Sequence, residues 1–288
     1  MTQILKGGPA AEKIAEDLTH RIARLRELGT VPCLAIVRAG DDEGAAAYER
    51  GASRRCASLG IELKRCVLPD DVTEGELLRL IAELNGDETV HGVLVLQPMP
   101  ESIDMAHVRA ALDPDKDVDG ITNGSLAGVY SGSGEGYPPC CAESCMEMLK
   151  YYGIPTDGKH AVIVGRSLVV GRPAAMLLMH GNATVTVCHR KTENLALIAK
   201  SADILIMAAG EPGLADREFL SPGQVVLDVG VSLDPVSGKL TGDVDGKAAE
   251  DVVAALTPVI GGSGAVTNTV LAAHVVRAAE KRAERRES

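Results

Sequence analysis

Short apolar runs rich in β-branched residues alternate with amphipathic segments along most of the chain, and this rhythm limits the possible folds more than any other feature. In the first half the apolar runs lie at 31–40, 61–69 and 91–100, and the helix-patterned segments lie at 9–29, 43–59 and 73–86. A helical crossover between two strands places those strands parallel in one sheet. The first half therefore predicts a parallel sheet covered by helices.

A second series of apolar runs follows a stretch at 130–141 in which Gly, Ser and Pro cluster. The runs lie at 159–167, 182–190, 202–210 and 223–230, and each precedes a turn or a helical segment. This order is typical of a doubly wound, Rossmann-type nucleotide-binding sheet. We predict an α/β protein of two α/β domains with a cleft between them, ending in one long amphipathic helix over 267–288 whose basic stretch at 281–286 looks like a solvated face.

Composition narrows the class of partner. The formal net charge of −11 argues against a nucleic-acid binder, which usually presents a clustered basic surface. No apolar run approaches the roughly 20 residues of a membrane span, and MTQILKGGPA lacks the apolar region of an export signal. The seven cysteines contain no C-x-x-C pair, which favours a reducing cytoplasm over a disulfide framework or a zinc site. We expect a cytoplasmic protein with a small-molecule substrate, no bound metal, and no nucleic-acid or membrane partner.

The stretch VIVGRSLVVGRP places Gly165, Ser167 and Gly171 directly after an apolar run. Small residues let the backbone approach a pyrophosphate, whose charge the N-terminus of the next helix stabilises. The spacing is not G-x-G-x-x-G, so a purely structural turn is the alternative. Its position at the start of the second series favours a dinucleotide site.

The second strand of that series ends in CHRKT, where comparable sheets bind the ribose of the cofactor. An acidic residue at this place holds the 2′-hydroxyl of NAD, whereas an arginine accommodates the 2′-phosphate of NADP. Arg190 and Lys191 therefore favour NADP, with NAD still possible, and Arg166 is a second candidate phosphate ligand. The alternative is that these residues are solvated surface charges.

Candidate substrate ligands lie in the first half of the chain. Gln97 in LQPMPESID follows a predicted strand, at the end of a sheet where ligands bind. Asp117 and Asp119 flank Val118 in PDKDVDGIT, a spacing that on its own favours an Asx-turn. Tyr48 stands out because aromatic residues make up only 2% of the chain, so a ring-stacking site has few residues to draw on.

Taken in order, these stretches resemble the methylenetetrahydrofolate dehydrogenase/cyclohydrolase family of FolD-type enzymes nearly end to end. The most specific are KDVDG, GRSLVVGRP and TPVIGGSG. The resemblance implies a homodimer with folate in the cleft, NAD(P) on residues 165–167, and a C-terminal helix that returns to the N-terminal domain. It implies a folate-binding domain of 1–138 plus 268–288 and an NAD(P)-binding domain of 139–267.

The resemblance also implies roles for single residues. Tyr48 corresponds to the tyrosine that stacks on the pterin, and Asp119 to the aspartate that hydrogen-bonds the amino edge of the pterin. With Gln97, they form the predicted catalytic set. The loops that contact folate and cofactor add two substrate-binding residues, Pro258 and Gly262, and two cofactor-binding residues, Gly210 and Val231.

The chain departs from the family at positions linked to the cyclohydrolase step. Most bifunctional members carry S-x-x-Y-x-x-x-K, but Ala45 and Ala52 stand in place of the serine and the lysine. The usual V-Q-L-P reads V-L-Q-P, which moves the glutamine from position 96 to Gln97 and, on a strand, to the opposite face. PCT likewise becomes PCC, and GGVGP becomes GGSGA.

These departures predict a dehydrogenase with weak or absent cyclohydrolase activity. Removal of a hydride from the methylene carbon needs no protein base, whereas addition of water to the methenyl cation must move protons through a titratable group. Arg55 shares the helical face of Ala52, but its guanidinium stays charged.

Three alternatives remain open. The first is a fully bifunctional enzyme that uses water or another side chain, and the second is a non-catalytic folate- or nucleotide-binding paralogue. The third, an amino-acid dehydrogenase on the same sheet, needs a catalytic lysine for which the sequence offers no clear position.

Overall fold

The computed structural model describes residues 1–233 and 240–287. The strands in this part of the chain are β1 (Gln3–Ile4), β2 (Cys33–Ala39), β3 (Glu62–Leu68), β4 (Gly92–Val95), β5 (His160–Val164), β6 (Thr184–Cys188), β7 (Ile204–Met207), β8 (Val225–Asp228), β9 (Ser232–Leu233), β10 (Leu240–Thr241) and β11 (Ala255–Leu256). The helices are α1 (Gly7–Glu27), α2 (Glu43–Leu59), α3 (Glu74–Gly86), α4 (Met105–Ala111), α5 (Asn123–Ser131), α6 (Cys140–Tyr151), α7 (Gly171–His180), α8 (Leu195–Lys200), α9 (Gly246–Ala249) and α10 (Ser263–Glu287).

The chain forms two compact units, and each is built on its own parallel sheet. The three-stranded unit comprises 12–140 and 268–288, and the six-stranded unit comprises 1–11 and 141–267. The sequence places 1–11 in the first domain, but the structure places them in the six-stranded unit. The reason is β1, which pairs in parallel with β11 and is followed by Leu5, whose N–H donates to the carbonyl of Leu256 at 2.9 Å. An edge strand of two residues is too short for periodicity to reveal.

The sheet of the three-stranded unit has the order β3-β2-β4, and all pairings are parallel. The central strand β2 is buried at six of its seven residues, which explains its unbroken apolar run, whereas the residues of the edge strand β3 are all exposed or half-buried. Helix α3 begins with a capping box of Thr73 and Glu76 and packs Leu77, Ile81 and Leu84 into the core.

Most of α10 belongs to the three-stranded unit. The Nδ1 of His274 donates to the carbonyl of Val118 at 2.8 Å, and Arg21 binds Glu280 through two guanidinium nitrogens at 2.6 and 2.9 Å. The long helix predicted over 267–288 is thus present, begins at Ser263, and is held by contacts along its length.

The sheet of the six-stranded unit has the order β1-β11-β8-β7-β5-β6, again with all pairings parallel. The chain runs from β5 outward to β6 and then returns to β7 on the other side of β5. In open α/β sheets such a reversal places the ligand outside the carboxyl ends of the two central strands. The predicted α/β fold class, with a Rossmann-type second sheet, is confirmed.

The sequence predicts no membrane span and no disulfide framework, and the described residues bear on both points. None of their helices is long and apolar enough to cross a membrane. All seven cysteines lie in the described part of the chain, and none of them forms a disulfide.

Candidate active site

Two glycines shape the loop that follows β5. Gly165 has a φ of +144°, a conformation that side-chain-bearing residues rarely adopt, and a Cβ at this position would overlap the carbonyl of Ala208. A Cβ on Gly171, the first residue of α7, would overlap the carbonyl of Gly165. The end of β5, the loop after β7 and the start of α7 therefore meet backbone to backbone.

The residues between the two glycines form the turn into α7. The hydroxyl of Ser167 accepts a hydrogen bond from the N–H of Val170 at 3.1 Å, and the Ser167 carbonyl accepts from Arg172 at 3.1 Å. Arg166 and Ser167 are exposed. A bare backbone cradle next to a helix N-terminus and an exposed arginine is chemically suited to a pyrophosphate, so the residues present fit a dinucleotide.

The loop after β7 carries Gly210 and is held by a carboxylate that sequence reasoning missed. The buried side chain of Asp243 accepts hydrogen bonds from the N–H groups of Ala209, Gly210 and Glu211 at 2.6, 3.1 and 2.7 Å. The loop therefore leaves its sheet in one fixed conformation. The signal in the sequence is GDVDG, in which two aspartates alternate with small and apolar residues.

A second buried carboxylate supports the first. Asp228 ends β8 and accepts from the N–H groups of Asp243 and Val244 at 3.1 and 3.0 Å. Burial raises the pKa of Asp228 to about 7. Val231, the predicted cofactor contact three residues further on, is 52% exposed. The two aspartates thus fix the loop of Gly210 and the start of the loop that leads to Val231.

Changing Asp243→Ala should lower the free energy of unfolding by about 2–4 kcal/mol, because three loop N–H groups lose a charged acceptor. Urea denaturation measures the effect. The matched control is Asp245→Ala, two residues away, where an exposed carboxylate caps only the four-residue helix α9 and about 1 kcal/mol or less is expected. Equal destabilisation by the two substitutions would contradict this role for Asp243.

Arg190 lies in the turn after β6, beside the loop of Gly210. Its Nε is 3.1 Å from a carboxylate oxygen of Glu211, and its terminal nitrogen is 3.5 Å from the carbonyl of Ala209. Arg190 and Lys191 are both exposed. The structure thus brings Arg190 to the predicted cofactor loops, with Glu211 as a partner that the sequence analysis did not identify.

Pro258 and Gly262 belong to a tight loop between β11 and α10. Gly262 is buried, and a Cβ on it would overlap the carbonyl of Pro258. A Cβ on Gly7 would in turn overlap the carbonyl of Gly262, and the N–H of Gly7 donates to Gly261 at 2.8 Å. This loop is therefore packed against the first residues of α1.

In the three-stranded unit, Tyr48 is half-buried on α2, and Ala52 one turn further on is fully buried. The guanidinium of Arg55, on the same face, is 2.8 Å from a carboxylate oxygen of Glu12 on α1. Arg55 therefore forms an ion pair with a residue of the neighbouring helix α1. On the helical face of Tyr48, position 52 offers no ionisable group, and position 55 offers only a paired arginine.

An ion pair next to Tyr48 also escaped the sequence analysis. The Nε of Arg38 on β2 is 2.9 Å from Glu49 on α2, and each of these side chains is only 12% exposed. Glu49 also lies 3.4 Å from the Nε of Arg65 on β3. These contacts fix the rotation of α2 on the sheet and therefore the direction in which Tyr48 points.

Two polar atoms near Ala52 are buried and have no hydrogen-bond partner within the part of the chain that the structure describes: Ser53 Oγ on α2 and Asn268 Oδ1 on α10. A Cβ on Gly51 would lie 2.8 Å from the amide nitrogen of Asn268, so the two helices are in close contact here. Polar acceptors are therefore present on the elements around position 52, although the residue itself is an alanine.

Gln97 lies just beyond β4 and is exposed, whereas Leu96 is buried. The N–H of Leu96 donates to the carbonyl of Val37 at 2.9 Å, so Leu96 continues the ladder between β4 and β2. The leucine therefore occupies the inward position, and the glutamine takes the outward position.

The two aspartates of KDVDG differ in environment. Asp117 is fully buried and accepts from the N–H groups of Ile121 and Thr122 at 2.9 and 2.7 Å, which makes it a structural turn residue. Asp119 is half-buried, and burial together with the charge of Asp117 raises its pKa to about 7. Asp119 is therefore the carboxyl of the pair that faces partly outward and titrates near neutral pH.

Cys140 and His274 surround this loop from other elements. The thiol of Cys140 hydrogen-bonds Asp119, which lowers the pKa of that carboxyl, and lies 3.3 Å from the carbonyl of Val118. His274 donates to the same carbonyl, and its ring centroid is 5.1 Å from that of Tyr137. Cys140 is thus a polar neighbour of Asp119.

Comparison with known proteins assigns the family. Residues 139–283 match the tetrahydrofolate dehydrogenase/cyclohydrolase NAD(P)-binding domain, and residues 5–119 match the catalytic domain of that family. The bifunctional protein FolD of Carboxydothermus hydrogenoformans is 42% identical over 281 residues, which cover 97% of this chain and 98% of that protein.

Solved structures agree with this assignment. The bifunctional FolD enzyme of Campylobacter jejuni has a TM-score of 0.94 and 36% identity, covering 98% of this chain and 100% of that one. The Trypanosoma brucei methylenetetrahydrofolate dehydrogenase-cyclohydrolase, solved with NADP cofactor and an inhibitor, has a TM-score of 0.92 and 32% identity, covering 97% and 98%. The chain therefore belongs to the tetrahydrofolate dehydrogenase/cyclohydrolase family.

Proposed function

We propose that this protein is an NADP-dependent 5,10-methylenetetrahydrofolate dehydrogenase whose cyclohydrolase step is weak or absent. The family membership and the backbone cradle at Gly165 and Gly171 support the dehydrogenase. The observation that carries the cyclohydrolase part is the face of α2 below Tyr48, where Ala52 is fully buried and Arg55 is paired with Glu12.

The dehydrogenase reaction requires the protein to align the substrate with the cofactor, and it requires no proton transfer by a side chain. Bound NADP⁺ supplies the hydride acceptor. In our proposal, Tyr48 stacks on the pterin, Asp119 as a carboxylate accepts hydrogen bonds from its amino edge, and the loop at 165–171 receives the pyrophosphate. Alignment of reacting groups can contribute about 7–11 kcal/mol to a rate, so this arrangement suffices without a general base.

The cyclohydrolase reaction adds water to the methenyl cation and must remove a proton from that water. A lysine can be tuned for such a task, but Ala52 offers no ionisable group. A guanidinium is not a proton shuttle in proteins, and that of Arg55 is paired with Glu12. The outward position of Gln97 removes a second group from the usual family order.

A fully bifunctional enzyme is the second candidate, and one observation favours it. Asp119 has a pKa of about 7, which is suited to a general base at neutral pH. In our proposal this carboxylate binds the pterin instead. The two candidates differ in one measurable property, which is enzyme-dependent hydrolysis of methenyl-tetrahydrofolate.

Steady-state assays with methylene-tetrahydrofolate and either NADP⁺ or NAD⁺ test the dehydrogenase directly. We expect turnover with both cofactors and a higher kcat/KM with NADP⁺. Absence of turnover with both cofactors would instead favour a non-catalytic binding paralogue.

Changing Arg190→Ala should raise the KM for NADP⁺ by about tenfold to a hundredfold, because a charge-assisted contact to the 2′-phosphate is lost. The KM for NAD⁺ should change little. Arg217→Ala, at an exposed arginine elsewhere in the six-stranded unit, is the control and should leave both constants unchanged. A parallel rise in both KM values for Arg190→Ala would contradict a role in cofactor choice.

Assembly and location stay predictions from the sequence. We propose a homodimer in the cytoplasm, as the family resemblance and the cysteine pattern imply. Light scattering on the purified protein should give twice the mass of one chain, and a monomer mass would contradict the dimer.

A further inference from the structure

A cavity of about 330 Å³ lies within the three-stranded unit, where the last turns of α10 meet the residues that precede β4 and the loop at 113–116. Five of its lining side chains are cationic and three are carboxylates; the cations are Lys116, Lys281, Arg282, Arg285 and Arg286. The wall thus has a formal surplus of two positive charges. The whole chain has a net charge of −11, so this surplus does not follow from composition.

Three of these cations are held by two carboxylates. Glu88 lies 3.4 Å from Arg282 and 3.3 Å from Arg286, so one carboxylate serves two guanidinium groups. Arg285 lies 2.7 Å from Asp115. The basic stretch at 281–286, interpreted from the sequence as a solvated face, therefore lines one side of a cavity in the folded protein.

The two lysines make their close contacts with neutral groups. Lys116 is only 4% exposed, and its ammonium donates to the carbonyls of Leu84 and Asp87 at 2.6 and 2.7 Å. The ammonium of Lys281 lies 5.0 Å from the centroid of the Tyr137 ring. Among the described residues, neither ammonium has a carboxylate within ion-pairing distance, so both positive charges add to the field of the cavity.

The cations are close enough to disfavour one another. Burial and the charge of Arg282 both lower the pKa of Lys116, and burial and neighbouring arginines lower the pKa of Lys281. Burial and the charges of Arg282, Arg286 and Lys116 lower the pKa of His91 to about 4. An anion placed among these groups would relieve their repulsion.

We propose that this cavity binds a small multivalent anion with phosphate or carboxylate groups, such as inorganic pyrophosphate. Its volume is near the lower end of ligand pockets, about 300–1,000 Å³, which suits a small ligand. Guanidinium groups match the paired oxygens of phosphates and carboxylates. His91 immediately precedes β4, whereas Gln97 follows its other end, so the cavity and Gln97 lie at opposite ends of this strand.

Isothermal titration calorimetry of the full protein with pyrophosphate and, separately, with citrate tests the proposal and distinguishes the two anion groups. Saturating NADP⁺ is present in each titration, so that the loop at 165–171 is not open to the probe. We expect saturable binding of one anion per chain, weakened by about tenfold for Arg282→Gln and again for Arg285→Gln, as loss of a charge-assisted hydrogen bond predicts. Arg282→Lys keeps the charge and should retain most of the affinity. Circular dichroism shows whether each variant folds.

Two matched variants exclude other sites. Arg79→Gln removes an exposed arginine of α3, and Arg217→Gln removes an exposed arginine of the six-stranded unit; neither lines the cavity, and both variants should bind the anion as the parent does. The proposal is overturned if neither anion binds saturably, if Arg282→Gln and Arg285→Gln bind as tightly as the parent, or if Arg79→Gln or Arg217→Gln loses affinity equally.

Discussion

Changing Ala52→Lys should accelerate enzyme-dependent hydrolysis of methenyl-tetrahydrofolate by about 10²-fold or more, since a positioned proton-transfer group typically contributes about 10² to 10⁴-fold. The substitution places an ionisable amine one helical turn from Tyr48, where the present side chain is the buried methyl group of Ala52. Loss of absorbance of the methenyl compound, corrected for its decay in buffer, measures the rate.

Ala52→Met is the matched control, because methionine has a similar length but no titratable group. It should leave the hydrolysis rate at the level of the parent protein. Position 52 is fully buried, so both variants need a check of unfolding free energy before their rates are compared. A rise in hydrolysis with methionine as large as with lysine would contradict a proton-transfer role for this position.

Exchanging Leu96→Gln and Gln97→Leu on top of Ala52→Lys extends the test. The exchange restores the usual family order of these two residues and moves the amide from the exposed to the buried position. If the two groups act together, the triple variant should hydrolyse faster than Ala52→Lys alone. A lysine that gains nothing from the exchange would indicate that the amine alone moves the proton.

Changing Asp119→Asn should lower kcat/KM for methylene-tetrahydrofolate by about 10² to 10³-fold, because the amide cannot accept paired hydrogen bonds from the pterin edge and leaves buried donors unsatisfied. In the proposed dehydrogenase the carboxylate of Asp119 is the form that binds the pterin. With a pKa of about 7, kcat/KM should fall about tenfold per pH unit below neutrality and level off above it. The variant should lose this limb of the profile.

The stability of the folded protein should change with pH in the opposite direction to kcat/KM. This difference separates a loss of substrate binding from a loss of folding. The folded-state pKa of Asp119 is raised above its ordinary value of 3.8, so its contribution to stability is present below that value and is lost as the pH rises through about 7. At pH 8 the Asp119→Asn variant should therefore be at least as stable as the parent in urea. A variant that is both inactive and strongly destabilised at pH 8 would contradict this account of Asp119.

Periodicity in the sequence identifies the elements with long, clear patterns. The apolar run of β2 and the capped helix α3 are readable because one strand is buried on both faces and one helix places Leu77, Ile81 and Leu84 on a single face. Strand β1 is different, since two residues give no period and its pairing with β11 brings Gln3 to Ala255. The structure therefore groups residues 1–11 with the six-stranded unit, which the sequence pattern does not indicate.

The residues of the candidate site likewise include some that the sequence pattern reveals and some that only the fold reveals. Gly165 and Gly171 are readable because a bare turn between a strand and a helix needs small residues at set positions. Asp243 and Glu12 are not, since each acts on a partner more than 30 residues away that only the fold brings near. The partners of Asp119, Cys140 and His274, likewise come from two different helices.

The most direct test of the central claim follows methenyl-tetrahydrofolate in the presence of increasing amounts of the parent protein. A dehydrogenase without a working proton relay predicts a decay rate equal to that in buffer at every protein concentration, while the same preparation oxidises methylene-tetrahydrofolate with NADP⁺. A decay rate that rises in proportion to the protein concentration would contradict the claim and identify a bifunctional enzyme.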